Sequence, residues 1–194
     1  MIERLIDRNL NFLKKHIVCD EDTVEVYRYS LRIIYSYIID VLVLMSLAIV
    51  FNKVIETIIM LFTFAVLQVY GGGYHAKTQL GCMAIMVVGW FVGVFGLQKI
   101  VMLHWCVGIV VMVVFTALVF IFTPVLNEKH TVSGEVYKRS KRIMHKLIFI
   151  FDVIIVCSFT FNFTLIHYTL IISLILYCMS LIAAIVSVRN KYYF

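Results

Sequence analysis

Six runs of apolar residues dominate this chain: Leu31 to Phe51, Val54 to Tyr70, Cys82 to Leu97, Ile100 to Phe122, Leu147 to Leu165 and Ile166 to Val188. Crossing about 30 Å of hydrocarbon takes about 20 helical residues. The runs therefore read as membrane spans, the second and third being short. Lipid offers no partner to a stray backbone group, so a span is either a helix or a strand of a closed barrel. The alternation of apolar and polar residues that a barrel strand needs is absent. Composition points the same way, with 63% of the 194 residues hydrophobic and 14% charged. A soluble domain carries about 25% charged residues, and a chain of this size has too little interior to hide so much apolar surface. The expected fold class is an all-α integral membrane protein with six transmembrane helices, residues 31–194 forming one transmembrane domain.

Charge gives the orientation. Seventeen Lys and Arg outweigh eleven Asp and Glu, for a formal charge of +6. Sorted by the connections between spans, fifteen of the seventeen fall on the side of the N-terminus and two on the other. Cytoplasmic loops collect Lys and Arg, so both termini and the Gly71 to Gly81 connection are expected in the cytoplasm. The basic excess then reflects topology and contact with membrane lipid, not nucleic acid.

Residues 1–30 read as an amphipathic segment. Ile2, Leu5, Ile6, Leu10, Leu13 and Ile17 share one arc of a helix, with Arg4, Arg8 and Lys15 opposite. That pattern fits an interfacial helix on the inner leaflet, serving as a membrane anchor or as a contact for a peptide substrate or second subunit. Early charges such as Glu3, Arg4 and Asp7 break any secretory signal, and none is expected. Asp20 to Thr23 supply helix-starting residues. In the polar connection 127–146, Lys138, Arg139, Lys141 and Arg142 form a cluster that fits an inner-leaflet anchor or a docking patch for acidic residues of a substrate.

Chemistry concentrates in Tyr70-Gly71-Gly72-Gly73-Tyr74-His75-Ala76-Lys77-Thr78-Gln79-Leu80-Gly81-Cys82. An imidazole and a thiol flanked by glycines at a helix junction fit a nucleophile and its base. In one straight helix, seven steps put His75 and Cys82 on the same face but about 10.5 Å apart, too far for a hydrogen bond. A dyad therefore requires a loop or broken helix, with Cys82 at the N-terminus of the third span, where the helix dipole favours thiolate and exposed N–H groups can stabilise an oxyanion. The alternatives are a plain glycine turn and an inert packing cysteine. Zinc chemistry needs at least three protein ligands, and no other His or Cys falls at such a junction, so no metal or cofactor is expected.

These residues carry a resemblance. Gly-Gly-Gly-Tyr-His75-Ala, with Cys82 seven residues after the histidine, in a basic six-span chain of 194 residues, resembles the accessory gene regulator B (AgrB) family. The likeness covers nearly the whole chain, including Thr123-Pro124-Val125 ahead of a basic connection. It implies a membrane cysteine endopeptidase of the bacterial cell membrane that matures a quorum-sensing peptide from an AgrD-like precursor. His75 would be the base and Cys82 the nucleophile, on the cytoplasmic side, and a homodimer is also implied. Gln68 stands where many members carry an arginine, so orienting the active site or gripping a substrate carboxylate falls to Gln68 without charge, or to Lys77.

The other polar residues are read more plainly. Asp40 and Asp152 lie inside spans, where charge is costly. Interhelical hydrogen bonding or a protonated buried acid serves for both, and Asp152 is also a candidate to orient the imidazole of His75. His104 and His167 read as interfacial residues near the outer surface, and Trp90 as an interface or packing aromatic. Cys19, Cys106, Cys157 and Cys178 read as packing or surface thiols. The rival function is a non-catalytic membrane transporter or scaffold, although one Gly-rich break without a counterpart is not a transporter's paired pattern.

Overall fold

A computed structural model describes residues 2–16, 21–74, 76, 78–97, 99, 105–125 and 134–191. These form seven α-helices: α1 (Ile2–His16), α2 (Glu21–Val50), α3 (Val54–Gly71), α4 (Gln79–Phe91), α5 (Trp105–Phe122), α6 (Gly134–Thr160) and α7 (Thr164–Lys191). A π-turn over Val92–Leu97 extends α4. No strand occurs among the described residues. Among the described residues, five helical stretches are long and apolar enough to cross a membrane: Thr23–Val50, Val54–Gly71, Leu80–Leu97, Gly134–Thr160 and Thr164–Ser187. The apolar part of α5, Gly108–Phe122, is shorter. The chain is thus a multi-pass membrane protein.

Contacts divide the chain into Met1–Leu47 and Ala48–Phe194. In the first unit the amphipathic α1 is tied to α2 by Arg28 on Asp7 at 2.8 Å, by Arg32 on Glu3 at 2.8 Å and by Asn9 donating to Tyr35. Both ion pairs are exposed and contribute little on their own. Ile6 and Leu10, expected to rest on lipid, are buried. The apolar stripe is therefore closed by protein at those positions, and the acidic edge of α1 is turned to basic residues of α2. Asp40 is also buried. α2 starts at Glu21 and runs for 30 residues, about 45 Å at 1.5 Å per residue, so it is longer than the bilayer core.

The second unit is built around α7. Its hydrophobicity is spread over all faces, the pattern of a helix enclosed by others, and it packs on α3, α5, α6 and the π-turn. The core joins Leu67 of α3, Phe115 and Val119 of α5, Met144, Ile148 and Phe151 of α6, and Ile171, Leu174, Tyr177 and Leu181 of α7. Two connections are tight turns of one design. Asn52 and Asn162 adopt φ of 57° and 58°, while Lys53 N–H bonds Ala48 O at 2.7 Å and Phe163 N–H bonds Ser158 O at 2.9 Å. This is the left-handed cap that reverses a chain without leaving the last carbonyls bare.

Two sequence expectations are sharpened or corrected here. Trp90 is fully buried and donates to Thr57 Oγ1 at 2.7 Å, so it is a packing aromatic. His167 is buried as well, with Nδ1 3.2 Å from Ile155 O and 3.4 Å from Ser158 Oγ. It pins α7 to α6 through a carbonyl and a hydroxyl of α6 instead of facing an interface. His104 lies outside the described residues.

Candidate active site

The glycines form a strap between α3 and α4 that is packed on three sides. At the end of α3, Gly72 N–H bonds Gln68 O at 3.0 Å, and Gly72 turns the chain with φ of 75°. A Cβ there would lie 2.9 Å from Val125 O, and one on Gly71 would strike Tyr177 Oη and come within 2.8 Å of Met144 Cε. Val125 N–H donates to Gly71 O at 3.0 Å. From α7, Tyr177 Oη donates to Gly72 O at 3.0 Å, and Ser180 Oγ accepts from Tyr74 N–H at 3.1 Å. Residues of α6 and α7 and the stretch just after α5 thus meet the end of α3 at Gly71 to Tyr74. Hence the glycines allow close approach as well as a turn.

α4 begins at Gln79, capped by Thr78, whose Oγ1 accepts from Gly81 N–H at 3.2 Å. Thr78 serves there because its hydroxyl satisfies a donor that the helix itself leaves bare. Cys82 falls in the first turn and is half-buried, and its N–H bonds Thr78 O at 3.1 Å. Residues 75 to 82 are therefore not one straight helix, and the 10.5 Å separation that such a helix would impose does not apply. The bond to Thr78 O also removes the Cys82 amide from the set of open donors, leaving those of Gln79 and Leu80 as the first-turn amides to consider. His75 and Lys77 lie outside the described residues.

Gln68 is 9% exposed, and a Cβ on Gly73 would lie 3.4 Å from its Cγ and Nε2, so it stands beside the strap. The basic cluster is not in a loop as expected. It lies on the first turns of α6, with Lys138, Arg139 and Arg142 exposed and Lys141 half-exposed. Lys141 and Lys138 precede Met144, which touches Gly71, by about 4.5 and 9 Å along the axis. Asp152 lies eight residues the other way, about 12 Å deeper. Its Oδ2 accepts from Thr116 Oγ1 at 3.0 Å, and its Oδ1 is buried without a hydrogen bond among the described residues. No group of three potential metal-ligating residues occurs among the described residues. Tyr177 and Ser180 were not singled out by the sequence, since a tyrosine and a serine in an apolar run look like ordinary packing.

The family described as Accessory gene regulator B matches residues 6–185. A protein of Clostridium perfringens (strain 13 / Type A), named only by likeness as AgrB-like protein 2, is 26% identical over 153 residues, covering 74% of this chain and 69% of that protein. An AgrB-like protein of Clostridium perfringens (strain SM101 / Type A) is 27% identical over 153 residues, covering 74% of this chain and 69% of that protein. No solved structure matches. On the family match across 6–185, the chain belongs to the accessory gene regulator B (AgrB) family.

Proposed function

We propose that this protein is a membrane-embedded cysteine endopeptidase that cleaves a short AgrD-like precursor peptide and releases a cyclic thiolactone or lactone for quorum sensing. It sits in the bacterial cell membrane with six spans, and both termini and the strap face the cytoplasm. The observation that carries the reading is the position of Cys82 in the first turn of α4, directly beyond the strap. There the positive end of the helix dipole favours a thiolate.

His75 takes the proton of Cys82 Sγ, and the thiolate attacks the scissile carbonyl carbon. The oxyanion is met by the amides of Gln79 and Leu80. As the C–N bond breaks, His75 returns the proton to the departing amine, and the N-terminal part of the precursor stays on Cys82 as a thioester. A thiol or hydroxyl of that bound peptide then attacks the thioester carbon. Its proton passes through His75 to Sγ, and the ring leaves. Closure instead of hydrolysis requires water to be kept from the thioester, which a site sunk at the membrane surface provides. Lys138, Arg139, Lys141 and Arg142 meet acidic residues of the precursor, and Gln68 and Lys77 contact its backbone.

The test is product analysis by mass spectrometry with the protein in lipid and a precursor of this type. The expected products are the C-terminal fragment and a ring. A linear N-terminal product, one water heavier, would contradict ring closure, and no cleavage at all would contradict the reading. In the same assay Asp152→Asn keeps an acceptor for Thr116, the partner its carboxylate holds, and is expected to stay within about twofold of the parent rate. A loss of more than about a hundredfold would make Asp152 the group that orients His75.

A further inference from the structure

Serine and threonine hydroxyls in these helices mostly bond back to their own helix. Ser46, Thr169 and Ser173 each donate to the carbonyl four residues earlier, at 2.8, 2.7 and 2.7 Å. Such back-bonding is the usual way to satisfy a hydroxyl in an apolar surrounding. Two hydroxyls of α7 are used differently. Tyr177 Oη donates to Gly72 O at 3.0 Å, and Ser180 Oγ accepts from Tyr74 N–H at 3.1 Å. They are three residues apart and so share a face, and their two bonds bracket Gly73, whose Cβ would lie 3.0 Å from Ser180 Oγ.

The Tyr177 ring is itself held. It is fully buried, with Phe64 and Phe115 edge-on at centroid distances of 6.1 Å on α3 and α5. A phenol clamped by two rings offers its hydroxyl from one place. Tyr74, bonded to Ser180, directly precedes His75 in the sequence. We propose that Tyr177 and Ser180 are positioning residues that fix the strap from α7 and so set the place of His75 relative to the first turn of α4. This rests on the His75 and Cys82 dyad proposed above. The three segments that bring the dyad together are then α3, α4 and the remote helix α7, with Val125 bracing the strap from the α5 side through its bond to Gly71 O.

Proton transfer is steeply sensitive to such placement, because a displacement of about 1 Å costs about a hundredfold in rate. Losing one of two braces should cost less. Tyr177→Phe and Ser180→Ala are each expected to lower kcat about tenfold with KM within about twofold, since the reacting geometry changes and substrate binding does not. Both should also move the pH profile of Cys82 alkylation, read by mass spectrometry of the Cys82 peptide, toward that of His75→Ala. Ser173→Ala, which removes a hydroxyl bonded only along α7, is the control and should match the parent in rate and profile.

An equal loss in Ser173→Ala, or parent-like kcat and alkylation in both Tyr177→Phe and Ser180→Ala, would overturn the proposal. The two levels separate cleanly. If His75→Ala is inactive while the α7 variants behave as the parent, only the positioning role is wrong. If His75→Ala cleaves at the parent rate, the dyad is wrong and the positioning role falls with it.

Discussion

Replacing Cys82 with alanine is expected to abolish precursor cleavage, and replacing His75 with alanine to slow it by on the order of 10³-fold or more, the scale seen when a nucleophile or its base is removed. The effect is chemical and should leave the fold intact, since Cys82 is a half-buried side chain in the first turn of α4 and contributes no disulfide. Cys82→Ser separates chemistry from shape. It keeps the size and the hydrogen-bonding capacity of the side chain, yet an alcohol is a far weaker nucleophile than a thiolate near neutral pH. It too is expected to be inactive. Cys157, exposed on α6, is the matched control, and Cys157→Ala should cleave as the parent does. Fragment release per unit of protein in membranes checks all four. Cleavage by Cys82→Ala at the parent rate would remove Cys82 as the nucleophile.

The second large effect concerns the strap. Gly72 has φ of 75° and no room for a Cβ, which would lie 2.9 Å from Val125 O. Gly72→Ala therefore pays about 1–2 kcal/mol for the left-handed backbone and must also push back a main-chain oxygen. Gly71→Ala meets a different obstacle. Residue 71 is helical, so alanine suits its backbone, but the added methyl strikes Tyr177 Oη and crowds Met144 Cε. Overpacking of this kind costs about 1–3 kcal/mol and shifts the backbone, and here the backbone that shifts is the strap. Both variants are expected to lose about a hundredfold or more in cleavage, from a displacement on the order of 1 Å. The causes are separable. Met144 Cε is the free end of a flexible side chain and can move, whereas the Tyr177 ring is clamped. Combining Gly71→Ala with Tyr177→Phe removes the struck hydroxyl and should recover cleavage to the level of Tyr177→Phe alone. Gly72→Ala has no such partner and should not be recovered. Cleavage at the parent rate in both single variants would show that the strap is a mere connector.

Much of this organisation was legible in the sequence because the bilayer imposes it. Lipid demands helices of a set length, so the runs beginning at Val54, Leu147 and Ile166 foretell α3, α6 and α7 within a few residues, except that α6 starts earlier, at Gly134. That start was obscured by charge. Lys138 to Arg142 are too polar for a span, yet they are good helix formers and continue α6 beyond the membrane. The amphipathic α1 was legible as a helix, but the partner of its apolar stripe was not, since lipid and protein reward the same pattern. At the site, the Gly-rich junction marked itself through residues that are rare in the chain. Tyr177 and Ser180 did not, because their roles come from contacts 105 and 106 residues away in sequence, and spacing along one helix carries no trace of them. His167 was misplaced for the same reason, since its partners lie on the preceding helix.

In the proposed reaction Cys82 carries the peptide. Its most direct test is the mass of the protein after exposure, in lipid, to a precursor whose ring-closing Cys or Ser has been replaced by alanine. Cleavage can then proceed, but release by cyclisation cannot. The expected result is an adduct equal in mass to the N-terminal part of the precursor, located on Cys82, removed by hydroxylamine as a thioester must be, and absent from His75→Ala. Fragment release with no adduct on Cys82, or an adduct on another residue, would contradict it.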